Sequence, residues 1–370
     1  MQAKPIQNQL PPMLKSSTLI LFLSTLFLDA NARNKLIKFS DQRITYSGRT
    51  SYKTDAAELS WPGASVKINF KGTGIAAVLK DQDTSNYYNV ILDGKVINKI
   101  HPDTSRKNYV LAENLSAGKH TLELFKRTEW DKGKTWFYGF MPVKEASLLP
   151  ASKLQKRKIE FYGNSITCGY ATEDKFNDSS TGYFENNYVS YAAITARHFD
   201  AQYSCIAKSG IGVLVSWFPL IMPEMYDRLD ATDSASKWDF SKYTPDLVVI
   251  NLFQNDAWIT QKPDNAEFKH RFGTQAPSAE TIILAYKNLV QNIRSKYPKA
   301  QLICALGSMD ATQKGSPWPG YVEKAVQQLN DSKIYTHFFP YKNTPGHPKV
   351  AEQQAMADDL IAFINQKIKW

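Results

Sequence analysis

The sequence lacks the short motifs that identify several other classes of enzyme. It contains no Gly-x-Ser-x-Gly elbow of an α/β-hydrolase, no phosphate-binding loop and no His-Glu-x-x-His zinc motif. Its three cysteines, Cys168, Cys205 and Cys304, lie far apart and at no metal-ligand spacing. We therefore expect catalysis without a metal ion or another cofactor. The thiols lie in or beside apolar runs and are expected to be buried, although export would permit one disulfide.

The N-terminal apolar run, Thr18 to Leu28, is too short to span a bilayer comfortably. It follows Lys4 and Lys15 and precedes Ala30-Asn31-Ala32, which places small residues at the two key positions of a cleavage site. This order is typical of a secretory signal peptide over residues 1–32. We therefore expect an exported protein, periplasmic or extracellular, with no stable membrane insertion after cleavage.

Charge of neither sign is concentrated in one part of the chain. The formal net charge is +10, but the lysines and arginines are scattered rather than clustered. This pattern favours a solvated basic surface over a nucleic-acid patch, so no nucleic-acid partner is predicted. With 370 residues, of which 43% are hydrophobic, the chain has the size of two ordinary domains.

No amphipathic helix is readable in residues 33–150. Short β-rich runs alternate with turns there, and Asp93-Gly94 and Ala117-Gly118-Lys119 are hairpin signals. The predicted strands are Val66–Phe70, Gly74–Leu79, Tyr87–Leu92, Lys95–Ile100, Asn108–Leu111 and His120–Lys126. Many short strands with regular turns predict an all-β sandwich domain of jelly-roll type.

After a lysine-rich linker, Leu149–Lys158, strands and helices alternate through residues 151–370. The predicted strands are Ile159–Tyr162, Gln202–Ala207, Leu247–Leu252, Gln301–Leu306 and Ile334–Phe339. The predicted helices are Tyr188–His198, Ala279–Tyr297, Gly320–Leu329 and Lys349 to about Lys367. Five strands alternating with helices predict a three-layer α/β domain with a parallel five-stranded sheet.

Polar residues and glycines follow several of these strands, where a doubly wound sheet binds its ligands. Ser165 follows the first strand, Gly210 the second, Asn255 the third and His347 the last. Together they are a nucleophile, a bare backbone donor, an amide donor and a base, which are the parts that acyl transfer needs. Three of them have a plainer interpretation by themselves: Ser165 as a helix cap, His347 as a surface or capping residue, and Asn255 as a turn residue.

The four blocks in this order resemble those of the SGNH (GDSL-type) hydrolases. The resemblance implies that Ser165 is the nucleophile and His347 the general base. It implies an oxyanion hole built from the N–H groups of Ser165 and Gly210 and the side-chain amide of Asn255. The sandwich in front, the Lys126-Arg127-Thr128-Glu129 run and Gly139-Phe140 extend the likeness to carbohydrate esterase family two, whose members remove acetyl groups from plant polysaccharides.

Three positions depart from the family pattern. Asn164 replaces the aspartate before the nucleophile, which keeps the shape and the acceptor but loses the charge. Phe253 stands where the third block begins with glycine, so we expect a less free backbone and a narrower cleft. Thr344 replaces the aspartate three residues before the histidine, and a threonine cannot stabilise an imidazolium as a carboxylate does. Some family members orient the histidine with a backbone carbonyl instead.

Tryptophans in the loops near the expected cleft provide a further hypothesis. Trp217, Trp258 and Trp318 are candidates for a sugar-stacking wall, although simple packing is an equal alternative. Asp256 is expected to support its loop, and His337 is expected to be a packed residue.

These patterns predict an exported serine esterase that removes O-acetyl groups from a xylan- or mannan-type polysaccharide through an acyl-enzyme on Ser165. The expected partner is an acetylated polysaccharide or oligosaccharide. One alternative is an SGNH lipase or acylhydrolase for longer chains. Another is a carbohydrate-binding protein with a degenerate hydrolase site, which Asn164 and Thr344 keep open.

Overall fold

The computed structural model describes residues 1–4, 36–143 and 146–370. The predicted apolar run and cleavage point of the signal peptide lie outside the described residues. Residues Asn34–Trp370 form one compact unit. In the described part of the chain, no helix combines the length and the apolar character needed to cross a membrane.

The first half of the compact unit is built from two antiparallel sheets. Its strands are β1 (Ile37–Lys38), β2 (Thr45–Ser47), β3 (Ser51–Tyr52), β4 (Ala57–Leu59), β5 (Ser65–Gly72), β6 (Ile75–Asp81), β7 (Tyr88–Leu92), β8 (Lys95–Ile100), β9 (Lys107–Ala112), β10 (Gly118–Lys126), β11 (Thr135–Pro142) and β12 (Ser147–Leu148). One sheet has the order β3-β4-β11-β6-β9, with β1 on β11; the other has the order β12-β5-β10-β7-β8, with β2 on β5.

Alternate residues along the strands are buried and form the core between these sheets. In β5, Val66, Ile68 and Phe70 are buried while the intervening residues are partly exposed. The hairpin predicted at Asp93-Gly94 is confirmed: β7 pairs with β8, and both turn residues have positive φ, 49° and 81°. The hairpin predicted at Ala117-Gly118-Lys119 is wrong, because β9 pairs with β6 in one sheet whereas β10 belongs to the other.

The second half forms a three-layer α/β arrangement. Its elements are β13 (Arg157–Gly163), α1 (Ser165–Cys168), α2 (Tyr191–His198), β14 (Ala201–Ala207), β15 (Leu247–Asn251), α3 (Gln254–Ile259), α4 (Ala266–Phe272), α5 (Ala279–Lys296), β16 (Gln301–Leu306), α6 (Trp318–Leu329), β17 (Ile334–Phe338) and α7 (Val350–Lys367). The sheet has the order β14-β13-β15-β16-β17, and every pairing is parallel. The predicted fold class is therefore confirmed.

The sheet carries a hydrophobic core on each face. Val248 and Ile250 of β15 pack with α5 and α6, whereas Val249 between them packs with α2 and α7. Strands that are buried on both faces are continuously apolar, and β15 follows this rule with Leu-Val-Val-Ile before its final residue, Asn251. The central strand of the sheet therefore ends in a polar residue at the edge where ligands are expected.

A buried network of hydrogen bonds connects the two halves. Arg49 of the sandwich is 1% exposed and donates to the carbonyls of Tyr226 (2.7 Å) and Arg228 (2.8 Å). Its other terminal nitrogen bonds the Tyr162 hydroxyl at 3.1 Å and the Glu160 carboxylate at 3.3 Å. Glu160 and Tyr162 belong to β13, so the sandwich is anchored to the strand that leads to Ser165.

Candidate active site

Ser165 is the first residue of α1 and follows the tight turn after β13, as the strand-turn-helix pattern predicts. Asn164 caps α1, because its side-chain oxygen accepts the Ile166 N–H at 3.1 Å. Only glycine fits at position 163, since an added Cβ would lie 2.0 Å from Oγ1 of Thr167. Asn164 thus keeps the acceptor role of the aspartate it replaces, and Ser165 is 5% exposed.

His347 lies directly against Ser165. Its Nε2 is 2.8 Å from Oγ of Ser165, which is hydrogen-bond distance. Tyr170 packs beside the histidine, with its ring centroid 4.7 Å from that of His347. The structure therefore brings together the two residues predicted as nucleophile and base.

Asp178 is the functional candidate that the sequence did not reveal. Its Oδ2 lies 2.7 Å from Nδ1 of His347, and its two oxygens accept the His347 backbone N–H at 3.0 and 2.9 Å. Asp178 comes from the segment between α1 and α2, far in sequence from the histidine block. Thr344 takes no part in this contact; its hydroxyl bonds Lys342 and Glu352. The carboxylate beside the histidine is thus supplied from another loop.

Two further residues, Gly346 and Lys349, allow Asp178 to pack closely against the loop that carries His347. Gly346 has φ +71°, and an added Cβ there would lie 2.7 Å from Oδ1 of Asp178. Lys349 donates to Oδ1 of Asp178 at 2.8 Å and to the Asn177 carbonyl at 2.7 Å. Burial alone would raise the pKa of Asp178, but hydrogen bonds from His347 and Lys349 outweigh it and hold that pKa well below its usual range. The carboxylate is therefore ionised at neutral pH.

Gly210 lies in the turn that follows β14. The Lys208 carbonyl accepts the Ile211 N–H at 3.3 Å, and Gly210 has φ +80°, a combination found in type II turns. An added Cβ at Gly210 would lie 3.0 Å from Cε1 of Phe218. Both the turn and the neighbouring ring therefore favour glycine here.

Asn255 lies in the first turn of α3, after β15. Its Nδ2 donates to the Ile211 carbonyl at 2.8 Å, and its Oδ1 accepts the Trp217 indole N–H at 3.1 Å. These bonds fix the amide and leave its second N–H available to another acceptor. Ser165, Gly210 and Asn255 follow the adjacent strands β13, β14 and β15, so they share one edge of the sheet.

Asp256 supports the loop that follows Gly210, as expected. Its carboxylate is fully buried and accepts the backbone N–H groups of Val213 (3.0 Å), Leu214 (2.7 Å) and Val215 (3.1 Å). Burial raises the pKa of Asp256 to about 6 against the opposing effect of these bonds. His337 is buried against Phe363, which confirms that it is a packed residue.

Phe253 does not narrow the cleft, so that expectation is wrong. Its backbone adopts φ +82°, the region that glycine enters most easily, and its side chain is fully buried. The ring packs 4.6 Å from that of Tyr286 and 5.0 Å from that of Trp318. The side chain therefore points into the core, where it packs in the apolar layer beside α5 and α6.

The three candidate tryptophans separate into two groups. Trp318 is 5% exposed and belongs to the core with Phe253, so its predicted place in a sugar-stacking wall is wrong. Trp217 is 44% exposed and bonds Asn255. Trp258 lines a cavity of about 530 Å³ that also contains Asp178 and His347. Trp258 therefore lies at the cavity of His347, and Trp217 lies beside the proposed oxyanion donor Asn255.

The described residues contain neither a disulfide nor a cluster of potential metal ligands at the site. The three cysteines are buried and free, as expected of buried thiols, and burial raises the pKa of Cys205 and of Cys304 to about 12. Within residues 36–143 and 146–370, no group of three or more His, Cys, Asp or Glu side chains is arranged to hold a metal ion.

Comparisons with known proteins agree with this architecture. Residues 46–151 match the family described as Carbohydrate esterase 2 N-terminal, and residues 161–334 match the GDSL-like Lipase/Acylhydrolase family. The chain is 35% identical over 340 residues to Cellulase/esterase CelE of Acetivibrio thermocellus; the match covers 88% of this chain but 40% of CelE. It is 26% identical over 348 residues to an Acetylxylan esterase / glucomannan deacetylase of Cellvibrio japonicus, covering 90% and 91% of the two chains.

Solved structures give the same result. A family two carbohydrate esterase from Clostridium thermocellum, in complex with cellohexaose, is 35% identical with a TM-score of 0.78, covering 88% of this chain and 99% of that chain. A family two carbohydrate esterase from Cellvibrio japonicus is 25% identical with a TM-score of 0.79, covering 90% and 97%. The chain belongs to carbohydrate esterase family two.

Proposed function

We propose that this protein is an exported serine esterase that removes O-acetyl groups from a xylan- or mannan-type polysaccharide. One observation carries the proposal: Ser165, His347 and Asp178 form a continuous chain of hydrogen bonds, with 2.8 Å from Oγ to Nε2 and 2.7 Å from Nδ1 to Oδ2. This is the arrangement that activates a serine hydroxyl for attack on an ester. The signal-peptide pattern in residues 1–32 supports export.

The first half of the reaction forms an acyl-enzyme. Oγ of Ser165 attacks the acetyl carbonyl carbon while Nε2 of His347 takes the hydroxyl proton, and Asp178 stabilises the resulting imidazolium. The carbonyl oxygen becomes an oxyanion that accepts hydrogen bonds from the N–H groups of Ser165 and Gly210 and the free N–H of the Asn255 amide. Collapse of this intermediate breaks the ester bond, and the sugar hydroxyl leaves with the proton from His347.

The second half returns the enzyme to its starting state. Water attacks the acetyl-Ser165 ester while His347 accepts one of its protons. The second tetrahedral intermediate uses the same oxyanion donors. Its collapse releases acetic acid, which ionises to acetate in water, and returns the proton from His347 to Oγ of Ser165.

Several observations support a carbohydrate substrate. Trp258 lines the cavity beside His347, Trp217 is exposed next to Asn255, and aromatic faces of this kind stack on sugar rings. The Cellvibrio japonicus relative is named an acetylxylan esterase and glucomannan deacetylase, and the Clostridium thermocellum relative holds cellohexaose. The buried Phe253 gives no support for acetyl preference, so that preference rests on the relatives.

Asp178 weakens the case for a degenerate site. The absence of an aspartate at position 344 is the main ground for expecting low activity, and Asp178 offers a carboxylate to Nδ1 of His347 in its place. Asn164 likewise keeps the cap that its position requires.

A series of aryl esters from acetate to octanoate separates the proposal from a lipase or acylhydrolase. We expect the highest kcat/KM with acetate and no turnover above background in Ser165→Ala. An optimum beyond butyrate would contradict acetyl preference, and full turnover by Ser165→Ala would contradict the serine mechanism.

A further inference from the structure

A buried carboxylate from the sandwich reaches the backbone of the turn that carries Gly210. Glu129 follows β10 and is fully buried. Its Oε2 accepts the backbone N–H of Ser209 at 2.6 Å. Ser209 directly precedes Gly210, whose N–H is a proposed oxyanion donor. The reaction described above assigns no role to Glu129.

The geometry of this turn explains why such a bond matters. Types I and II of a β-turn differ by a flip of the central peptide, which here joins Ser209 to Gly210. That flip reverses the direction of the Gly210 N–H. Because peptide units are planar, holding the Ser209 N–H leaves only the two backbone torsions of Ser209 between the held group and the Gly210 N–H. The flip turns about ψ of Ser209 and φ of Gly210, whereas the Glu129 bond holds the preceding peptide, from Lys208 to Ser209. The bond therefore fixes the position from which the Gly210 N–H projects.

Glu129 is itself firmly held. Its backbone N–H donates to Oε1 of Glu185 at 2.5 Å, and its carbonyl accepts a hydrogen bond from Nζ of Lys126 at 3.2 Å. Arg127 donates through Nε to the Glu185 carbonyl at 3.2 Å. Burial raises the pKa of both Glu129 and Glu185. The bond to Ser209 needs only an acceptor oxygen on Glu129, which either protonation state provides.

We infer that Glu129 is a positioning residue for the oxyanion hole, through which the sandwich sets the position of the turn that carries the Gly210 N–H. The inference rests on the proposed serine esterase function and adds to it. It makes the sandwich part of the active-site scaffold rather than only a neighbouring domain.

The test compares Glu129→Leu, which removes the acceptor, with Glu129→Gln, which keeps one. Glu58→Leu is the matched control, because Glu58 is also a buried sandwich carboxylate but bonds Trp136 and lysines instead of the Gly210 turn. Steady-state kinetics with an aryl acetate give kcat and KM. Inhibition by phenylboronic acid reports binding of a tetrahedral adduct, and circular dichroism gives the folded fraction.

We expect kcat of Glu129→Leu, per folded molecule, to fall about 10²-fold, near the lower end of the loss from deleting one oxyanion donor. In Glu129→Leu, KM should change less than about twofold, and the inhibition constant for phenylboronic acid should rise in parallel with the loss of kcat. Glu129→Gln should have most of the wild-type activity. A fall no larger than in Glu58→Leu, equal losses in both Glu129 variants, or a loss explained by unfolding would overturn the inference.

The failure of this inference can be distinguished from the failure of the proposed function. If Ser165→Ala kept full turnover, the proposed function would fail and this inference with it. If only the Glu129 results failed, the proposed function would stand.

Discussion

The carboxylate of Asp178 lies 2.7 Å from Nδ1 of His347, although the two residues are 169 positions apart in the chain. The family pattern places its aspartate three residues before the histidine, where this chain has Thr344. In this chain the carboxylate comes instead from the loop between α1 and α2. Nδ1 of His347 therefore contacts a side-chain carboxylate rather than a backbone carbonyl.

Replacing Asp178 by asparagine should lower activity much more than binding. The amide cannot stabilise the imidazolium and can favour the wrong tautomer of His347, so we expect kcat to fall by about 10²- to 10⁴-fold with little change in KM. Steady-state kinetics with an aryl acetate measure both constants.

Thr344→Ala is the matched control for this substitution. The Thr344 hydroxyl bonds Lys342 and Glu352 rather than His347, so we expect kcat within about twofold of the wild type. The assignment of Asp178 would be contradicted if Thr344→Ala lost as much activity as Asp178→Asn.

The depressed pKa of Asp178 also predicts how stability depends on pH. A carboxyl group whose folded pKa lies below its unfolded value stabilises the fold above the unfolded pKa, 3.8 here, and this contribution is lost as the pH falls through the folded pKa. The difference in urea midpoint between the wild type and Asp178→Asn should therefore narrow progressively below about pH 4. A difference that stays constant or widens there would show that Asp178 is not held as an anion.

Trp217→Phe separates the orientation of the Asn255 amide from aromatic stacking. The substitution keeps an aromatic ring but removes the indole N–H that holds Oδ1 of Asn255. A freer amide is a poorer oxyanion donor, so we expect kcat on an aryl acetate to fall about tenfold, less than the loss of a whole donor. Trp136→Phe, which removes an indole N–H bonded to Glu58 in the sandwich, is the control and should change kcat little. Equal effects of the two substitutions would argue against the role of Trp217.

Replacement of Trp258 and of Trp318 by alanine should have different effects, because Trp258 lines the cavity and Trp318 is packed in the core. Trp258→Ala should lower kcat/KM for an acetylated xylo-oligosaccharide about tenfold relative to that for an aryl acetate, through loss of sugar stacking. Trp318→Ala should leave this ratio unchanged and lower the free energy of unfolding by about 3–5 kcal/mol, measured in urea. A reversed pattern would contradict the placement of the two rings.

The sequence predicted the fold, and the position of four candidate residues after strands of one sheet, for a physical reason. Buried parallel strands are continuously apolar, amphipathic helices repeat at 3.6 residues, and catalytic groups follow strand ends, so each leaves a pattern along the chain. The segment that holds Asp178 has no such period, and its contact with His347 depends on how two distant loops meet. The directions of Phe253 and Trp318 were equally hidden, because a single aromatic residue beside a strand end can face either the core or the cleft.

Acetate release from acetylated xylan and acetylated glucomannan tests the central claim most directly. The full chain and its Ser165→Ala variant would be compared under identical conditions, with folding of the variant checked by circular dichroism. We expect steady release of acetate by the wild type and none above background by Ser165→Ala. Absence of release from both glycans, with aryl acetates also untouched, would contradict the esterase and indicate a carbohydrate-binding protein with an inactive hydrolase site.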